Sequence, residues 1–208
     1  MQLRFGASAE GVKASWQRPS QEFLEDRARN GGFPNPHGKP VVQVSQTIYN
    51  AQLHPGGHLE PLSKSILSLI HEKFDWRSTP DTLIVERNEK DTERVMSLHR
   101  WIQYALFYAV TKSFFGEAIF KIDPNILEYF AVFDQDSWQF TYQVPAMFAR
   151  KMINAKNVAQ KVFDKYIQLP ASDRSDACWM IHAMESEMRA VGNTSKDISA
   201  YLMMFYWV

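Results

Sequence analysis

Ser195-Lys196-Asp197-Ile198-Ser199-Ala200-Tyr201-Leu202-Met203-Met204-Phe205-Tyr206-Trp207-Val208 closes the sequence, and its make-up decides which class of fold can hold it. Ser195 suits an N-cap and Asp197 the first turn, where a carboxylate opposes the helix dipole. Beyond Asp197 no position carries a charged side chain. A helix over Lys196 to Val208 is therefore apolar nearly all round, and such a helix belongs in the centre of a mainly α-helical protein. No Gly, Lys or Pro follows to finish its last turn. The expectation is an interior helix of a polypeptide that continues, or of a truncated gene product.

Moving toward the amino terminus, the same periodicity recurs. Asp173 or Ser175 opens a helix holding Trp179, Ile181, His182, Met184 and Met188, stopped by Gly192-Asn193. Pro145 is read as starting another, through Met147, Phe148, Met152, Ala155, Ala159, Val162, Phe163 and Tyr166, which ends before Pro170. Asp123-Pro124 reads as a cap with a first-turn proline, leading to Ile126, Leu127, Phe130 and Phe133. Ser97 caps a long helix through Leu98, Trp101, Ile102, Ala105, Leu106 and Ala109, with Gly116 in the left-handed position that ends it. Two short polar-bounded runs, Thr82 to Arg87 and Thr92 to Met96, predict a small hairpin around Asn88-Glu89-Lys90-Asp91. From Pro61 a helix carries Leu62, Ile66, Leu69 and Ile70 on one side. Residues 41–50 fit a strand or the start of a helix, and residues 30–40 a loop. Short helices are expected over Glu10 to Trp16 and Gln21 to Arg29.

Bulk properties narrow the function classes. The 208 residues suffice for one sizeable core or two small ones. Lys and Arg number 23 and so do Asp and Glu, which leaves no global field to gather nucleic acid or anionic lipid. One cysteine, Cys178, excludes an internal disulfide framework and a multi-thiolate metal site. The longest apolar run, Ala200 to Val208, is far shorter than the ~18–20 residues of a spanning helix, so no membrane anchor is expected. Fourteen Phe and nine Met make the apolar content bulky and soft, which suits either ordinary core packing or a ligand-lined interior.

Four stretches, taken in order, carry a resemblance. They are Leu53-His54-Pro55-Gly56-Gly57-His58-Leu59-Glu60-Pro61-Leu62; Val95-Met96-Ser97-Leu98-His99-Arg100-Trp101-Ile102 with Phe114-Phe115-Gly116; Phe130-x-x-Phe133-Asp134 with Trp138; and Asp197-Ile198-x-x-Tyr201-Leu202-Met203-Met204-x-x-Trp207. Together they resemble the cytochrome P450 superfamily, in particular fungal members of the sterol 7-alpha-hydroxylase and prostacyclin synthase branch. The resemblance spans nearly the whole chain, as patterned helices rather than as a catalytic signature. It implies a partial P450 domain over residues 1–208, running to the start of the long central helix I. It further implies a haem-thiolate monooxygenase acting on a sterol, fatty acid or similar lipid-like molecule with a redox partner.

Two parts of the family pattern are missing. The haem-ligand motif Phe-x-x-Gly-x-x-x-Cys-x-Gly is absent, as is the Glu-x-x-Arg pair, and the oxygen-activating residues of helix I would follow Val208. Cys178 sits in Asp176-Ala177-Cys178-Trp179, without the glycines a haem loop needs, and is expected to be a buried structural thiol. The chain is thus expected to lack the haem-cysteine half and to be inactive alone. By the resemblance, His54 is the candidate for a haem propionate, against a solvated loop histidine. Met204 is the candidate substrate contact, against plain core filling.

Other chemistry is set aside on spacing. His54 and His58 lie four apart, but Pro55-Gly56-Gly57 between them breaks the helix that would align them for zinc. His182 is read as a packing histidine, and Glu185 and Glu187 as pointing in different directions. The second function class is a non-enzymatic, all-helical binding protein whose last helix docks into a partner. Cellular location is not legible, since family members usually carry an amino-terminal anchor.

Overall fold

The computed structural model describes residues 5–29, 35–75, 77, 79–88 and 93–207. Among them are ten α-helices: α1 (Ala9–Ala14), α2 (Gln21–Arg29), α3 (Val41–Leu53), α4 (Leu59–Lys73), α5 (Leu98–Phe115), α6 (Ala118–Ile122), α7 (Ile126–Thr141), α8 (Arg150–Gln168), α9 (Trp179–Ala190) and α10 (Ser195–Trp207). Between α4 and α5 stands one antiparallel hairpin, β1 (Ile84–Arg87) and β2 (Arg94–Met96), which pairs Ile84 with Met96 and is bulged before Glu86. The protein is mainly α-helical with a small hairpin, as the periodicities require. The expected hairpin turn at Glu89-Lys90-Asp91 and part of the 30–40 loop lie outside the described residues.

α8 organises the core. Met152, Ala155, Ala159, Val162, Phe163, Tyr166 and Ile167 recur at three and four and are all buried, while Lys151, Asn154 and Lys161 face out. The small Ala155 and Ala159 let neighbours approach, and α8 packs along both α7 and α10. α4 lies on α5, and α3 on α9. Aromatic rings join these pairs: Phe5 meets Phe133, Phe133 meets Phe130, Phe130 meets Tyr206 at 4.0 Å, and Tyr206 meets Phe115, which abuts Tyr166. Such edge-to-face pairs add about 0.5–1.5 kcal/mol each beyond the area they bury.

α10 runs through the middle. Asp197, Ile198, Ser199, Ala200, Tyr201, Leu202 and Met203 are each at most 6% exposed, so every face of these two turns is covered. Burying Ile198, Leu202 and Met203 contributes on the order of 4–9 kcal/mol before entropy is counted. The start is fixed by a reciprocal cap in which Asp197 N donates to Thr194 Oγ1 at 3.3 Å and Thr194 N donates to Asp197 Oδ2 at 3.1 Å. Thr194, not Ser195, therefore does the capping. The other carboxylate oxygen, Oδ1, accepts from Ser8 N at 2.7 Å and ties the start of α1 to α10. Gly11 is what permits this approach, because a methyl there would overlap the Asp197 carboxylate.

Elsewhere the expected boundaries hold or shift for identifiable reasons. Ser97 Oγ accepts from Arg100 N, and Gly116 ends α5 with φ +72°. Residues 41–53 are helix rather than strand, burying Val41, Val44, Ile48 and Gln52 at helical spacing. Pro145 starts no helix: Phe148 N bonds Pro145 O in a turn, Met147 and Phe148 are exposed, and α8 begins only at Arg150. Asp123 is the extended cap of α6, its carboxylate accepting from Asn125 N at 2.9 Å, and α7 starts at Ile126. Asp173 lies in a 3₁₀ turn over Ala171–Arg174, while α9 starts at Trp179 with Cys178 as its cap.

Candidate functional site

The sequence candidates lie toward the end of the molecule where α3 stops, α9 starts and α10 finishes. α3 ends because Pro55-Gly56-Gly57 cannot continue it, and His54, its extended C-cap residue, is exposed. Gln52, buried two residues earlier, fixes this corner. Its Nε2 donates to His58 O at 2.8 Å, and its Oε1 accepts from Met180 N at 3.1 Å at the start of α9. His58 then stacks on Trp179 with centroids 4.0 Å apart and rings 9° from parallel. On the inner side Tyr49 of α3 meets Phe205 of α10 at 4.8 Å, and Phe205 meets Phe114 of α5. Met204 is half-buried and packed on the core. The structure thus brings α3 and α10 together through Tyr49 and Phe205, leaves His54 in solvent, and seats Met204 among core side chains.

Cys178 adjoins this corner. Its backbone N donates to Phe114 O at 2.9 Å, locking α9 to the end of α5. Burial pushes the thiol up to about 11, so it stays protonated near neutrality.

The densest polar cluster was not legible beforehand. Arg174, 1% exposed, donates Nη1 to Glu185 Oε2 at 2.7 Å and Nη2 to Glu185 Oε1 at 3.1 Å. Its Nε and Nη2 also donate to Leu169 O, and its guanidinium lies over the Tyr166 ring. Arg189 donates Nε to Glu185 Oε1 at 2.8 Å and Nη2 to Ile167 O at 3.0 Å. His182 Nε2 stands 3.0 Å from Arg174 O. Burial alone would raise the Glu185 carboxyl, but the bonds from Arg174 and Arg189 outweigh it and hold the group below its ordinary range. An open cleft of about 640 Å³ lies alongside, lined by Pro170, Arg174, His182, Glu185, Ser186 and Arg189 among others. With every nitrogen of Arg174 and both oxygens of Glu185 engaged, the cluster knots the α8–α9 connection to α9. Glu187 points away from Glu185, as the spacing predicts, toward Arg27 and Asn35.

Neither His54 nor Met204 lines this cleft or the small cavity between α1 and α10. Among the described residues no three His, Cys, Asp or Glu side chains gather as a metal site, and no helix is long and apolar enough to cross a membrane. Compared with protein-family models, curated proteins and solved structures, the chain matches none.

Proposed function

We propose that these residues form the helical, haem-edge portion of a cytochrome P450-like monooxygenase that hydroxylates a sterol, fatty acid or similar lipid-like molecule. The observation that carries the reading is the order of the patterned segments, which ends on α10, a helix still apolar through Met204, Phe205 and Tyr206. The enclosure of α10 from Asp197 to Met203 is supplied by this chain's own helices and suits a self-contained bundle equally.

Haem, when bound, would supply the oxygen chemistry, with electrons from a redox partner. The fit of this chain to haem is partial. Cys178, the N-cap residue of α9, lacks the flanking glycines that let a haem loop approach the iron, so we assign the thiolate to residues other than these. In this reading His54, exposed at the end of α3, would meet a propionate, and Met204, half-buried against the core, would be the substrate contact. No catalytic step follows from these residues alone.

The test is reconstitution of the purified chain with haemin, followed by reduction under carbon monoxide. The expected result is no thiolate-type Soret band, whereas such a band would overturn the assignment of the iron ligand elsewhere. One observation favours the other reading, a self-contained helical binding protein: α8 and α9 already cover the first turns of α10. Sedimentation of the purified chain separates the two: a monodisperse monomer supports the binding protein and removes the monooxygenase fragment, whereas self-association through uncovered apolar surface supports the fragment.

A further inference from the structure

We propose that α2 is a strap latched to the body by Glu187, able to lift from α9 while the core stays folded. This inference does not depend on the monooxygenase reading. α2 contributes no buried residue, and among the described residues it has no extended packing against another element. Its sequence explains why, since Gln21, Glu22, Glu25, Asp26, Arg27 and Arg29 leave only Phe23, Leu24 and Ala28 to pack. Phe23 and Leu24 are only half-buried, Leu24 lying where a side chain at Gly38 would otherwise stand.

What holds α2 instead is polar and reaches α9. Arg27 pairs with Glu187, and its Nη2 donates to Ser186 Oγ at 2.5 Å. The Phe23 ring, one turn earlier on α2, lies 4.2 Å from the guanidinium carbon and steers it. Glu187 is 1% exposed and has a second hold, accepting from Asn35 Nδ2 at 2.9 Å. Asn35 is itself fixed, donating to Lys39 O and accepting from Lys39 N. The latch is therefore asymmetric. Lifting α2 removes Arg27 and admits water in its place, while Asn35 keeps the carboxylate in position. An opening of this kind strands no dry charge and disturbs none of the α8–α10 core.

Hydrogen exchange of the full chain, followed by mass spectrometry, tests this. Amides of residues 21–29 are expected to exchange at least about 100-fold faster than those of α8, through a local opening. Glu187→Gln, isosteric and still able to bond Asn35, should accelerate α2 by about tenfold more and leave α8 unchanged. Ser186→Ala removes only the exposed second contact and should accelerate α2 by a smaller factor. Exchange of α2 at the rate of α8, acceleration of all helices together in Glu187→Gln, or no change in α2 with either variant would each overturn the proposal.

Discussion

Replacing Gly116 with alanine isolates the junction on which α5 and α9 depend. Gly116 has φ +72° and ψ −165°, a region essentially reserved for glycine, and a non-glycine residue there costs about 1–3 kcal/mol. A methyl would also overlap the Asp176 carboxylate, whose most distant atom, Oδ2, would stand only 2.6 Å away. Asp176 is exposed and can swing out, but in doing so it gives up the 2.7 Å bond it accepts from Glu117 N, worth about 1 kcal/mol. The sum is about 2–4 kcal/mol, which for a domain of this length lowers Tm by about 4–16 °C. Thermal unfolding followed by far-ultraviolet circular dichroism measures it. Asp176→Ala alone should cost only the bond, and Gly116→Ala in that background only the backbone strain. A Gly116→Ala protein melting within about 1 °C of the parent refutes the reasoning.

Other outcomes follow from the buried charges and the thiol. Arg174→Met leaves Glu185 buried with Arg189 as its remaining partner and should cost about 3–5 kcal/mol, much of it recovered in Arg174→Met/Glu185→Leu; urea denaturation checks both. Glu185 has a lower value folded than unfolded, so its contribution is complete above about pH 5 and is lost as the pH falls through that lowered value. Glu185→Gln should accordingly flatten the acid limb of a stability–pH profile, and an unchanged limb counts against the ion-pair account. Cys178, raised from 9.0 to about 11, should react with a disulfide reagent at pH 8 about a hundredfold more slowly in the folded chain than in urea. Equal rates would mean that the thiol is not held as described.

How much was legible depends on whether a residue's role is local. Ser97 and Gly116 act through their own backbone, and both were readable as cap and terminator. The limits of α2 were readable for the same reason. Residues 41–53 were ambiguous because a short apolar run serves strand or helix equally well, and only packing against α9 decides. Proline at 145 suggested a helix start, but Met147 and Phe148 cannot reach the core from that turn, so the buried stripe begins at Ala149. Thr194 displaced Ser195 as the cap because only its hydroxyl stands three residues before Asp197. Arg174 was invisible: nothing local distinguishes it from a surface arginine, and its partner Glu185 lies across a turn. Among the candidate site residues, His54 was readable as lying outside the helix and Met204 as apolar. What either one meets depends on elements far away in sequence.

The bond from Ser8 N to Asp197 Oδ1 joins positions 189 apart, and it sets the order of events during synthesis. At about 5–20 residues per second, the acceptor is made about 10–40 s after the donor. Phe5, fully enclosed in the finished protein, waits about 6–26 s for Phe133, a ring it packs against. The tie between α1 and α10 is thus completed only once the last helix has been made, and a chain interrupted before Asp197 leaves the Ser8 amide without this acceptor.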